Sequence, residues 1–396
     1  MTTRYLFLAA LGLAAFGLTT SVTAAPRFEF TEPAVMTKRT GTGSRSTLVQ
    51  GADGALYGTA QFGGPHGKGT IYRHAPGSAL TAVHGFSGAD GADPMGSLIS
   101  MADGSLWGTA GTGGAYGHGT IFRFEPASGH LQVVHSFDGN DGHLPESTLI
   151  LARDGYLYGT SVGSLDYEPT QLPGSMYRID PATWQFTLIR RFARSGPESD
   201  LGRQPNGQLL QALDGHLYGA SYLGGANDGG VLFRHDPMTG AFEKIHDFGG
   251  IGGCKPFGPL IQARDQRLYG TTTQCGALGG GTAFRVRSGG RIEAIHAFQA
   301  FDDAYFPVAG LLEASDGFLY GSSHDLGYGS LFRMRLDGSR YQRFFEFGYS
   351  DGVQSQGEFP DGTLIELDGA LWGTTSAGSV VGIGGSIYQV KPLPAR

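Results

Sequence analysis

Histidine, tyrosine and arginine are the residues in this 396-residue sequence whose types could combine into chemistry. Elimination across a uronic-acid sugar needs a cation on the substrate carboxylate, a base for the α-proton and an acid for the leaving oxygen. Arg190, Arg191, Arg194 and Arg203 can supply the cation, and His118 or His324 with Tyr167 or Tyr222 can supply the proton-transfer pair. Spacing alone does not bring them together. Recognition of a sugar without catalysis asks for less, namely aromatic rings for its apolar faces and polar groups for its hydroxyl edges. His66, Tyr116, Asp166, Tyr305, Asp325 and Tyr328 suit that role, with Glu168, Asp200, Asp228, Lys255, Asp302 and Asp303 nearby in the same loops. Other chemistries lack their parts, because there is no G-x-S-x-G elbow, P-loop or H-E-x-x-H. Paired glycosidase carboxylates depend on a spatial separation that the sequence does not carry.

Two further groups have a plainer explanation. His84, His135, His246 and His296 all stand two residues before a phenylalanine that recurs with the same period. Four equivalent copies suit a structural position, not a catalytic one. The run Asp138-Gly139-Asn140-Asp141-Gly142 offers oxygen ligands to calcium but lacks the spacing and closing glutamate of a calcium loop. Turn formation is the commoner role of such residues, so no metal or other cofactor is expected and calcium is the weaker alternative.

The elements that must position these residues come from a repeat. Leu56-Tyr57-Gly58, Leu106-Trp107-Gly108, Leu157-Tyr158-Gly159, Leu217-Tyr218-Gly219, Leu268-Tyr269-Gly270, Leu319-Tyr320-Gly321 and Leu371-Trp372-Gly373 are seven copies of one phrase, their glycines 50, 51, 60, 51, 51 and 52 residues apart. A period near fifty is that of a propeller blade. In the second copy Ser97–Met101, Leu106–Ala110, Gly119–Phe124 and Leu131–Phe137 read as four short strands, with Asp103-Gly104 as the tight turn between the first two. With 68 glycines, 25 phenylalanines, 17 tyrosines and 16% charged residues, the composition agrees with an all-β chain. The expected fold is a seven-bladed β-propeller of four-stranded antiparallel blades. The last copy stops after its third strand, Ser386–Val390, and the unassigned Phe28-Glu29-Phe30, within a strand of about 27–32, is expected to complete it and close the ring.

The N-terminus reads as a secretory signal over residues 1–24. Arg4 precedes an apolar run of 14 residues, Tyr5–Leu18, and Val22-Thr23-Ala24 has the small-residue cleavage pattern. A membrane anchor would need about 20 apolar residues. The mature chain, 25–396, is therefore expected as one secreted or periplasmic domain, a monomer without a membrane span. Net charge is −7, or −8 once Arg4 leaves, and no cluster of Lys and Arg offers a phosphate-binding surface, which excludes nucleic acid. The only two cysteines, Cys254 and Cys275, flank the first two strands of the fifth repeat, so an antiparallel hairpin brings them to one face. A disulfide is the expected state in an oxidising compartment, with free thiols or a metal pair as alternatives.

Segments such as Gly113-Gly114-Ala115-Tyr116-Gly117-His118-Gly119-Thr120-Ile121-Phe122-Arg123, Val134-His135-Ser136-Phe137-Asp138-Gly139-Asn140-Asp141-Gly142 and Asp154-Gly155-Tyr156-Leu157-Tyr158-Gly159-Thr160 resemble the GloVer (Gloeobacter and Verrucomicrobia type) tandem repeat. The resemblance implies an extracytoplasmic repeat protein and carries no common activity with it. The third repeat departs from the pattern, with Leu165-Asp166-Tyr167-Glu168-Pro169 in place of the Gly-Gly loop.

In a meander blade the connections from strand two to three and from strand four to the next blade share one face. Both are the long loops here, and long loops on a rigid scaffold carry function. Two readings of that face follow. One is a binding module for a glycan or cell-surface polymer; the other is a carbohydrate-active enzyme, specifically a lyase on uronic-acid polymers.

Overall fold

The computed structural model describes residues 27–165, 171–193, 197–300, 303–325, 327–348, 357–378 and 383–393. These form seven four-stranded antiparallel blades in a ring, with no α-helix among the described residues. Among the described residues, no helix is long and apolar enough to cross a membrane. First strands are shorter than their sequence suggests; that of blade 2 narrows from Ser97–Met101 to Ile99–Ser100. The residues just before it leave the ladder and bond sideways to the neighbouring blade, Ser97 N–H donating to Thr148 Oγ1 at 2.9 Å.

The glycine of the recurring phrase is fixed by a close approach. Gly108 and Gly159 pair in register with Phe122 and Tyr177 of the third strands. A Cβ added at Gly108 would lie 2.7 Å from the Phe122 ring, and one at Gly159 would lie 2.6 Å from the Tyr177 hydroxyl. The aromatic ring thus lies across the second strand where only glycine leaves room. The aspartate of the Asp-Gly turn does more than turn the chain. It accepts a hydrogen bond from the tyrosine four residues on, as from Tyr57 to Asp53 (3.0 Å), Tyr158 to Asp154 (2.7 Å) and Tyr320 to Asp316 (2.8 Å).

Seven apolar clusters fill the seven gaps between blades. Tyr57, Ile71 and Phe86 meet Leu98, Leu106 and Phe122 between blades 1 and 2, and Tyr320, Leu331 and Phe347 meet Leu364, Leu371 and Tyr388 between blades 6 and 7. Ala34, Met36 and Ile387 meet Leu48, Leu56 and Tyr72 between blades 7 and 1. Polar contacts follow the same circuit, with Thr374 Oγ1 donating to the Ser46 carbonyl at 2.8 Å. The outer strand of blade 7 is Phe28–Thr37, antiparallel to Ile383–Pro392 from the pair Phe28 and Pro392 to the pair Thr37 and Ile383. It runs further than residues 27–32, and Phe28 and Phe30 stack on Phe344 and Phe345 of blade 6 at 4.2 and 4.0 Å between ring centroids.

Cys254 and Cys275 form a disulfide with Cα atoms 5.3 Å apart. The recurring histidines explain why it is needed there. His84 Nε2 lies 2.9 Å from Asp90 Oδ2, His135 Nε2 2.7 Å from Asp141 Oδ2, and His296 Nε2 3.2 Å from Asp303 Oδ2. Each pair clamps the loop leading into the next blade. After His246 the aspartate position is Gly252, and in that loop the disulfide does the tying.

Candidate functional site

Six of the seven loops that enter a blade contain a proline, and the residue before it lies in the left-handed region although it is not glycine: Asp93, Leu144, Gln204, Lys255, Phe306 and Phe359, with φ between 52° and 59°. Blade 1 has Gly43 at φ 74° instead. Left-handed backbone is uncommon for such side chains and is kept only where surroundings over-determine it. At four of the six, hydrogen bonds to the preceding blade supply that constraint. The amide of Asp93 donates to the Lys68 carbonyl at 3.1 Å, Lys255 to Gly229 at 2.6 Å, Phe306 to Gly280 at 3.0 Å and Phe359 to Tyr328 at 2.6 Å. These bonds join the loop entering a blade to a two-to-three loop, so both long-loop families share one face.

The residue after each proline, and Arg45 after Ser44 in blade 1, then falls beside the propeller axis. Arg45, Met95, Glu146, Asn206, Phe257, Val308 and Asp361, one per blade, line a cavity of about 260 Å³. Five of them, Arg45, Met95, Glu146, Asn206 and Phe257, also line an adjoining cavity of about 560 Å³ that reaches Gln61, Thr112 and Leu165 on the long-loop face. Seven equivalent positions thus carry seven different side chains, whereas the next position is always Ser, Gly or Ala, and leucine recurs three residues after each of the seven.

Three charged or titratable groups of this cavity cluster. His324 Nε2 lies 2.6 Å from Asp361 Oδ1, and Arg45 Nε lies 3.5 Å from Asp361 Oδ2. The Asp361 side chain is 8% exposed, so it is buried against both. The His324 ring leans on Phe359, with ring centroids 4.8 Å apart. Tyr222 lines the same cavity; burial pushes its hydroxyl pKa up, partly offset by a hydrogen bond with Thr273. Lys255 Nζ sits 5.4 Å from the Tyr222 ring centroid. Among the described lining residues of the two cavities, the carboxylates Asp93, Glu146 and Asp361 stand against one guanidinium, Arg45.

The structure brings together His324 and Tyr222 of the sequence candidates and leaves others apart. His118 is against His143, Nδ1 to Nδ1 at 3.1 Å. Arg203 is engaged by Asp228 at 2.8 Å, Arg190 lies over the Phe242 ring at 4.4 Å, and Arg191 Nε donates to the Asn140 carbonyl at 2.6 Å. Asp200 pairs with Lys244 at 2.6 Å. Asp325 accepts the Gly329 amide at 3.2 Å, and Tyr305 packs against the core between blades 5 and 6. His66, Tyr116 and Tyr328 are exposed on the rim. Asp166, Tyr167, Glu168, Arg194 and Asp302 lie outside the described residues. In the Asp-Gly-rich loop the carboxylates serve the loop itself: Asp138 accepts the amides of Asn140 and Asp141, while Asp141 accepts that of Asp138 and meets His135. Among the described residues, no group of three or more His, Cys, Asp or Glu could hold a metal ion.

Arg45, Glu146, Asn206, Phe257 and Asp361 escaped sequence reasoning because each stands beside proline or serine in a short, ordinary segment. Aligning the repeats on that proline exposes them as a column that differs in every copy.

Residues 9–168 match the family model described as the Gloeobacter/Verrucomicrobia repeat. No curated protein matches the chain. Among solved structures, the chain is similar to the extracellular domain of a hybrid two-component system from B. thetaiotaomicron, at 12% identity and TM-score 0.60 over 91% of this chain and 39% of that one. It is similar to an oligogalacturonate lyase from Vibrio parahaemolyticus, at 12% identity and TM-score 0.58 over 92% and 96% of the two chains. It also resembles a structure described as a 6-phosphogluconolactonase from Bacteroides uniformis, at 14% identity and TM-score 0.53 over 85% and 99%. At such identities the likeness is one of fold, and the chain spans well under half of the first.

Proposed function

We propose that this Gloeobacter/Verrucomicrobia-repeat propeller is a secreted binding protein whose axial cavity takes a hydroxyl-rich sugar unit of a glycan or cell-surface polymer. The observation that carries this reading is the ring of seven equivalent positions, Arg45 to Asp361, which vary in every blade around one cavity while their neighbours repeat. A purely structural position in a repeat converges on one solution, as the leucine three residues later does; divergence around a shared cavity suits an asymmetric ligand. Phe257 and Tyr222 offer faces for a sugar ring, and Glu146, Asn206 and Asp361 offer hydroxyl partners. The excess of carboxylates among the described lining residues favours a neutral sugar over a polyanion, since like charges repel in a partly buried site. Screening the mature chain on a glycan array tests this. Retention of neutral glycans supports it, and an array without any retained glycan overturns it.

A lyase on uronic-acid polymers is the second reading. Its support is that a guanidinium (Arg45), an imidazole (His324) and a phenol (Tyr222) line the same cavity, the three residue types the elimination needs. Incubation with uronic-acid polymers, followed by ultraviolet absorbance of the unsaturated product, decides it. A rise lost in His324→Gln supports the lyase, and no rise on any polymer removes it.

A further inference from the structure

We propose that His118 and His143 form a chelating site for a divalent transition metal of the zinc, copper or nickel type on the rim between blades 2 and 3. This inference is independent of the axial cavity. The two Nδ1 atoms face each other at 3.1 Å, with the rings 80° apart and their centroids separated by 5.0 Å. Neutral imidazoles can share one hydrogen bond across that gap only if one ring donates and the other accepts. The same gap suits two donors on one ion. With metal–nitrogen bonds of about 2.0–2.1 Å, donors 3.1 Å apart subtend about 100°, between the angles of square-planar and tetrahedral coordination.

The internal repeat argues that the meeting is not a by-product of the blade. His118 occupies the position held by Lys68 in blade 1, Gly229 in blade 4 and Gly280 in blade 5. His143 occupies that of Thr42, Ala92, Arg203 and Cys254. Neither position asks for histidine elsewhere, yet the two departures touch. Both are also held by their backbones. The His143 amide donates to Ser161 Oγ at 3.3 Å, and His118 bridges to Gly113. Both side chains are half-buried, so an ion has access from solvent. Nε2 of His118 faces Gly139, where an added Cβ would lie 3.1 Å away, which leaves the ring room. Two protein ligands leave the remaining coordination positions to solvent or to a bound ligand.

The repeat also supplies substitutions that the fold accepts, namely His118→Lys, as in blade 1, and His143→Ala, as in blade 2. Untagged mature protein stripped with a chelator would be titrated calorimetrically with Zn²⁺ and with Cu²⁺, alongside both variants and a His66→Gln, His130→Gln control that removes two other histidines. The expected result is one site per chain, weakened at least about tenfold in each single variant and unchanged in the control, with thermal unfolding in the absence of metal alike for all four proteins. Equal affinity and stoichiometry in wild type and variants, or no saturable binding in wild type, would overturn the proposal.

Discussion

His324 Nε2 and Asp361 Oδ1 are 2.6 Å apart, which ties a two-to-three loop of blade 6 to the axial entry of blade 7. Both residues depart from their repeat equivalents, and the contact places a buried carboxylate at the wall of the axial cavity with Arg45 on its other side. Replacing Asp361 with Asn keeps the shape and removes the charge. Asp361→Asn is expected to weaken glycan binding about tenfold, with unfolding temperature shifted by a few degrees at most. Calorimetric titration and thermal unfolding of the same samples check both halves.

The outer strand Phe28–Thr37 covers an edge that would otherwise be open, and its Phe28 and Phe30 stack on blade 6. Phe30→Ala is expected to cost about 2 kcal/mol or more. Deleting residues 27–37 is expected to replace one cooperative unfolding transition by aggregation. Denaturant unfolding and light scattering provide the readouts.

The Cys254–Cys275 bond spans 21 residues, so Cys254→Ser with Cys275→Ser should lower stability by about 3 kcal/mol. In this background Gly252→Asp should restore part of the loss, about 0.5–1 kcal/mol, by giving His246 the aspartate that its counterparts have. The nearest atom to a Cβ at Gly252 is Ile292 Cγ2 at 4.0 Å, so the substitution fits. Urea unfolding of the three proteins measures the order, and Gly252→Asp no better than the double serine variant would contradict the clamp.

His74 and His235 take third-strand positions that hold Phe124 and Ile179 in other blades. Burial lowers the pKa of each below 6.5. The unfolded state therefore binds protons that the folded state refuses, so this contribution to stability is intact above about pH 6.5 and is lost as pH falls below it. His74→Phe with His235→Ile should flatten the fall in unfolding temperature between about pH 7 and 5. An unchanged pH profile would show that these histidines are not its source.

The fold was legible because the Leu-Tyr/Trp-Gly phrase encodes a packing event, the crossing of an aromatic from the third strand, which recurs once per blade. The disulfide followed from the face assignment. The cavity was harder to see. Arg45, Glu146 and Asp361 fall a few residues apart from the glycine-rich loops that drew attention, and only the ring geometry brings residues separated by more than three hundred positions together. Tyr116 and Tyr328 broke the repeat as visibly as His324, yet they project at 64% and 48% exposure, because a departure from the repeat marks freedom from the blade and not direction. The Asp-Gly turns hid a second role, since the tyrosine four residues on is a partner that only antiparallel pairing makes adjacent.

Calorimetric titration of the strongest array ligand against single variants around the axis tests the central claim most directly. Glu146→Ala, Phe257→Ala and Asp361→Ala are each expected to weaken binding by about tenfold or more, with Tyr116→Ala and Tyr328→Ala within about twofold of wild type. The reverse pattern, rim variants impaired and all three cavity variants binding as wild type does, would contradict the assignment of the axial cavity as the binding site.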